Sequence, residues 1–166
     1  MTWSMYFMTD RLENGRTVRI LNVIDDYNRE ALLCYADYSF PSEKVLELIQ
    51  QIIEWHGKPY AIRTDNGTEF IAKAFEGFCL NSSIAHNRIQ KGKPMQNGYC
   101  ERFNRTFRED VLDAYLFEDI NDLRTVIENW RHDYNHNHPH ASINNCSPIE
   151  FKTRFTNKKL HLQTVG

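Results

Sequence analysis

The chain has 166 residues, 41% hydrophobic and 25% charged, the mix and length of one ordinary globular domain spanning 1–166. Twenty Lys and Arg against 22 Asp and Glu leave a net charge of −2, which excludes a uniformly basic nucleic-acid coat but not a local basic patch. Cys34, Cys79, Cys100 and Cys146 form no CxxC, which argues against a zinc ribbon or a thioredoxin motif, and no apolar run approaches the roughly 20 residues of a membrane span.

In chain order, residues 3–10 read as a strand rich in aromatics and Met. Glu13-Asn14-Gly15-Arg16 is a hairpin signal, because Asn-Gly accepts the positive φ angles of a tight turn. Residues 17–25 (TVRILNVID) form a buried strand and 31–38 a third. The period then changes. Ser42 caps a helix carrying Val45, Leu48, Ile49, Ile52 and Ile53, and Gly57 with Pro59 ends it. Residues 60–64 make a short buried strand leading into Asp65-Asn66-Gly67. A helix over 72–80, a weak strand over 84–89 and a loop over 90–96 follow, then a helix to about residue 115. A further helix over 121–135 puts Leu123, Val126, Ile127, Trp130 and Tyr134 on one stripe, and the tail from 151 carries no assignment. This order predicts an α/β domain: an antiparallel meander continued by crossover strands, with helices over the sheet.

Asp65 lies just past a short apolar strand, where open α/β sheets place ligands, although an Asp before Gly is also an ordinary turn. Glu101 lies near the start of an amphipathic helix. Asn97, Asn104, Arg105 and Arg108 share its face, and Cys100, Phe103, Phe107 and Val111 lie opposite. A Glu with Arg at i+4 is equally a helix-stabilising pair. Residues 88–108 hold six basic side chains against the single acid Glu101, whereas residues 1–83 hold 8 basic and 12 acidic ones. That local surplus suits a phosphate backbone, or simply a solvated face. His132, His136, His138 and His140 crowd one stretch, but no cysteine has zinc-site spacing to them.

Four segments together carry a resemblance: NVIDDYNREAL (22–32), IRTDNGTEF (62–70), IQKGKPMQNGYCERFNRTFREDVLD (89–113) and YNHNHPHASINNCSPIEF (134–151). They resemble the catalytic core of the IS3-type bacterial insertion-sequence transposases, in the retroviral-integrase-like DDE group, over nearly the whole chain. That family separates its second Asp from its Glu by 35 residues, the number between Asp65 and Glu101. The resemblance implies an RNase H-like fold, with a five-stranded mixed sheet flanked by helices. It also implies metal-dependent DNA strand cleavage and transfer in transposition, with Mg²⁺ or Mn²⁺ held by three carboxylates. Two such cations about 3.5–4 Å apart stabilise both the attacking and the leaving oxygen. By the same resemblance Asp65 and Glu101 are catalytic metal ligands, and Lys91, Lys93, Asn97, Arg105 and Arg108 lie near the DNA. Transposon ends and target DNA are the expected partners, and a homo-oligomer assembled on DNA the expected form. The expected location is the bacterial cytoplasm, in association with the nucleoid, with no membrane involved.

Two departures qualify this. The family's first Asp falls in an opening motif like W-S-x-D-F, and here Trp3-Ser4-Met5-Tyr6-Phe7 puts a tyrosine in its place. A phenol with a pKa of about 10 is neutral at pH 7 and a poor ligand for a hard cation. Asp10 is on the same side of the strand but roughly 13 Å along it. With the hairpin turning at Asn14-Gly15, Tyr6 faces Val23 and Asp25 is a diagonal neighbour roughly 7–8 Å off, the better substitute. A one-residue change of register removes it. The alternative is therefore a catalytically inactive DNA-binding or assembly module of the same fold. The family's usual helix-turn-helix region is also absent from these residues, so sequence-specific recognition of transposon ends is not expected of them.

Overall fold

The computed structural model describes residues 1–89 and 98–163, with the side chains of 71 and 156–163 excepted. Its centre is a five-stranded mixed sheet in the order β3-β2-β1-β4-β5. Strands β1 (Thr2–Arg11), β2 (Thr17–Asp25) and β3 (Ala31–Asp37) form the antiparallel meander, and β4 (Ala61–Thr64) and β5 (Ala85–Arg88) extend it in parallel from β1. The parallel steps follow from crossovers through α1 (Ser42–His56) and through the short α2 (Thr68–Ile71) with α3 (Lys73–Asn81). Downstream lie α4 (Gly98–Phe107), α5 (Ile120–Asn137) and α6 (Pro148–Gln163).

Alternation along the strands divides the core into two. Trp3 and Met5 of β1, with Leu21 and Val23 of β2, pack under Val45, Leu48, Ile49 and Ile52 of α1 and Phe75 and Cys79 of α3. Tyr6 and Met8 of β1, with Val18, Ile20 and Ile24 of β2, pack under Cys100, Phe103 and Phe107 of α4 and Leu123, Ile127 and Tyr134 of α5. The period-2 strand therefore sends every second side chain to a different helical layer. All four cysteines are buried free thiols. No helix among the described residues is long and apolar enough to cross a membrane.

Several expected boundaries shift. Ser42 opens α1 without capping it; Pro41 is the N-cap, while Gly57 at φ 82 ends the helix as expected. The helix after residue 97 passes at Phe107 into a π turn over Arg108–Leu112 instead of running on. The unassigned tail forms α6, whose start is a reciprocal cap. Ser147 N–H donates to Glu150 Oε2 at 2.9 Å, and Glu150 N–H donates to Ser147 Oγ at 3.4 Å.

The hairpin register also differs by one. Tyr6 pairs with Asn22, and Trp3 with Asp25. Only Gly15 takes a positive φ, so the loop is not the two-residue turn that needs two such residues. It runs from Leu12 to Arg16, closed by Leu12 N–H to Arg16 O and Gly15 N–H to Leu12 O, each at 2.9 Å. Asp25 therefore shares a face with Trp3, not with Tyr6. Its Oδ1 accepts from Tyr27 N–H at 2.9 Å, and it does not stand in for the missing Asp.

Candidate active site

The β1–β4 ladder ends at Met5 beside Thr64. One step further along both chains lie Tyr6, on the face covered by α4, and Asp65, past the end of β4. Asp65 is exposed just beyond β4. Its Oδ1 accepts from Gly67 N–H at 2.8 Å, which orients the carboxylate. Gly67 lets the two carboxylates approach: an added Cβ would stand 2.9 Å from Asp65 Oδ1 and 3.1 Å from Glu69 Oε2, so one of these side chains would have to shift. Glu69 itself is held by Arg19, and that pair keeps its carboxyl below the usual range despite partial burial.

Helix α4 docks on the sheet through Cys100, Phe103 and Phe107, with the Phe103 ring 6.3 Å from that of Tyr6 in an edge-to-face contact. Glu101, next to Cys100 in the first turn, is exposed. It makes no ion pair or hydrogen bond with another described residue, so the helix-stabilising pair with Arg105 is not formed. Arg105 is exposed too. Arg108 turns back on the sheet, donating to Thr9 O at 3.3 Å and lying 4.0 Å from Asp113. Lys91, Lys93 and Asn97 lie outside the described residues.

Tyr6 is buried among Cys34, Cys100, Phe103 and Tyr134. Its hydroxyl has no hydrogen-bond partner among the described residues. Burial pushes the phenol well above its ordinary pKa, with Cys100 and Cys34 adding to the shift. The group at this position is therefore neutral and cannot bridge cations. Among the described residues no set of three His, Cys, Asp or Glu side chains is arranged to hold a metal ion. Asp65 and Glu101 are exposed carboxylates, and the residues present do not fit a two-metal centre.

The sequence reading missed one carboxylate nearby. Asp26 accepts from Ser4 Oγ at 2.7 Å, and Arg63 Nη1 lies 3.2 Å from its other oxygen, an ion pair without hydrogen-bond alignment. Burial raises its pKa, opposed by the Ser4 hydrogen bond and by Arg63. Ser4 and Arg63 are partners across the β1–β4 ladder, so Asp26 closes the strand end next to the Tyr6–Asp65 pair. The doublet Asp25-Asp26 at the end of a buried strand was the available signal.

The architecture is that of the integrase catalytic cores. It superposes on the HTLV-2 integrase catalytic core domain in complex with magnesium, in its trimeric form, with a TM-score of 0.71 at 17% identity, covering 90% of this chain and 94% of that one. The fold is thus RNase H-like. Two family models described as integrase core domain match residues 1–94 and 82–148, and the chain belongs to that family. It is 37% identical over 152 residues to the uncharacterized 31.7 kDa protein of insertion element IS407 from Burkholderia multivorans, covering 92% of this chain and 55% of that protein. It is 38% identical over 154 residues to the uncharacterized 39.2 kDa protein of insertion element IS476 from Xanthomonas euvesicatoria, covering 93% and 44%. The chain spans about half the length of these relatives.

Proposed function

We propose that this chain is the catalytic core of an insertion-element transposase, acting on DNA ends and target DNA, in which Tyr6 blocks part of the metal site. Asp65 and Glu101 are its metal ligands. They would hold a single Mg²⁺ or Mn²⁺, hard cations suited to carboxylate oxygens, which supply charge for the oxygens of a phosphodiester. Lys91, Lys93, Asn97, Arg105 and Arg108 contribute to DNA contact, with Arg108 doing so only if it leaves Thr9. The observation that supports this most is the ladder end. Tyr6 follows Met5 where Asp65 follows Thr64, and Tyr6 lies beneath the helix that carries Glu101. The buried, unpartnered Tyr6 hydroxyl favours a second reading, a DNA-binding or assembly module of the same fold without strand-transfer activity.

The test is Tyr6→Asp. With Mn²⁺ and a branched oligonucleotide, this variant is expected to cleave and join strands, and calorimetry is expected to show more cation bound than in the parent chain. Asp65→Asn or Glu101→Gln in the same background should remove both gains. A Tyr6→Asp protein that binds no additional cation and cleaves nothing would leave the inactive module as the better reading.

A further inference from the structure

A second cluster lies on the other side of α4, where the last sequence motif folds against the β2–β3 turn. Arg29 occupies the left-handed region at φ 64, an uncommon conformation for a side chain of its size. That backbone aims its guanidinium at three groups. It stacks on the Tyr99 ring at 3.3 Å, donates to Asp26 O, and donates through Nε to Ser142 Oγ at 3.3 Å. None of these is a carboxylate. Arg102, one residue after Glu101, is exposed and forms no ion pair with another described residue. Both guanidiniums line one pocket with His138 and His140, floored by Phe103 and Tyr134, and no acidic side chain lines it.

The histidines are built in. His138 stacks on Tyr134 with ring centroids 5.2 Å apart, and His140 meets the same ring edge-on at 5.1 Å. His140 Nε2 is buried with no partner among the described residues. Burial, together with the positive surroundings of His138, Arg29 and Arg102, lowers the His140 pKa to about 4, so at neutral pH it is an uncharged donor or acceptor. An orphaned ring nitrogen and two guanidiniums without carboxylates call for an anion with several acceptor oxygens. The pocket has room, about 30 Å³, for one or two water-sized groups, and phosphate oxygens fit that space.

We propose that this pocket, bounded by Arg29, Arg102, His138 and His140, binds a phosphodiester of the DNA strand that passes Glu101. The inference rests on the DNA-acting reading given above and extends it with a phosphate subsite outside the carboxylate site. Arg102 follows Glu101 on α4 and lies about 100° round the helix from it, so a strand anchored here bends round α4 to reach Glu101. Arg29, fixed by its stack and hydrogen bonds, sets the position, and the exposed Arg102 closes over the phosphate.

The experiment is binding of a labelled single-stranded oligonucleotide, followed by fluorescence anisotropy in EDTA across a salt series. Arg102→Gln is expected to weaken binding about tenfold and to make the salt slope shallower by about 0.7, the share of one phosphate contact on a single strand. His140→Asn is expected to weaken binding with the slope unchanged, because the group it replaces is neutral. Arg11→Gln, which removes a charge at the far end of β1, controls for overall charge and is expected to shift affinity less than about twofold. If Arg102→Gln behaves like Arg11→Gln, or if the parent chain does not bind the oligonucleotide, the pocket is not a phosphate site. Chelator is present throughout, so the outcome is independent of the strand-transfer assay. Absence of cleavage by Tyr6→Asp leaves this result standing, and failure here leaves the carboxylate assignment standing.

Discussion

The two faces of the sheet bury comparable aromatic layers but treat polar atoms differently. Under α1 and α3 the interior is almost wholly apolar, and Thr64 Oγ1 and His86 Nε2 satisfy each other at 2.8 Å. Among the described residues, only the Trp3 indole N–H is left over on that face. Against α4 and α5, the Tyr6 hydroxyl and both amide atoms of Asn22 are buried without partners among the described residues, as is Asn104 Oδ1 on α4. An unsatisfied buried polar group costs about 1–3 kcal/mol, so such atoms collect only where something overrides packing. Tyr6 and Asn22 are direct partners across the β1–β2 pair. A carboxylate at position 6 would have an amide donor opposite it, whereas the phenol hydroxyl finds none. One face is a scaffold optimised for contact. The other keeps buried polar atoms beside residue 6 that have no partner among the described residues.

The scaffold face gives the largest expected effect. Phe75 is fully buried, with its ring 5.5 Å from that of Phe70 and 5.0 Å from that of His86. Phe75→Ala removes a whole aromatic ring from a close-packed layer. Unfolding in guanidinium should show a loss of about 3–5 kcal/mol. A loss below about 1 kcal/mol would mean that the α1/α3 layer collapses into the hole, and the contrast between the faces would then lose its basis.

The site face gives an effect of opposite sign. Tyr6→Phe deletes a hydroxyl that has no partner and keeps the ring against Phe103. The variant should be more stable by about 1 kcal/mol, read as a higher guanidinium midpoint at unchanged slope. A destabilised Tyr6→Phe protein would show that the hydroxyl is bonded in solution, and the unsatisfied face would be an ordinary one.

The sequence carries these two faces unevenly. Strong local signals settled the meander, α1 and α5: β-branched runs, the stripe through Leu123, Ile127 and Tyr134, and Gly57 as a stop. A carboxylate just past a short apolar strand and another at the start of an amphipathic helix made Asp65 and Glu101 candidates, and the resemblance to the family gave their 35-residue interval its meaning. What failed was the β1–β2 register, because Asn-Gly suits a two-residue turn and equally a longer loop with one positive φ. The choice is made by Leu12, buried to 3% exposure, which anchors the loop in the α4/α5 core. That one-residue difference decided which side Asp25 faces. Helix α6 escaped because its apolar stripe is weak, although Ser147-Pro148-Ile149-Glu150 spells a capping box followed by proline at the first helical position. The Arg29 pocket could not be read at all. It joins residues more than 100 positions apart, through a left-handed backbone that no local pattern in the sequence announces.

That pocket supplies an effect of a different kind, one of pH. The folded-state pKa of His140 lies at about 4, below the ordinary 6.5 of an unfolded chain. The folded protein therefore prefers the neutral ring, and the stability linked to this preference is fully present above pH 6.5. It falls as pH drops from 6.5 toward about 4 and changes no further below that, where the ring is protonated in both states. His56 and His86 are also held low by burial, so the parent curve keeps a slope of its own. The difference between the parent and His140→Asn stability curves isolates the one ring, and it should be flat outside this window. Arg102→Gln removes one of the positive charges acting on His140. It should raise the pKa of the ring in the folded protein, so that the difference made by adding His140→Asn to Arg102→Gln stops changing at a higher pH. A difference curve that ignores Arg102 would mean that burial alone holds the ring neutral, and the positive character of the pocket would have to come from Arg29 and His138.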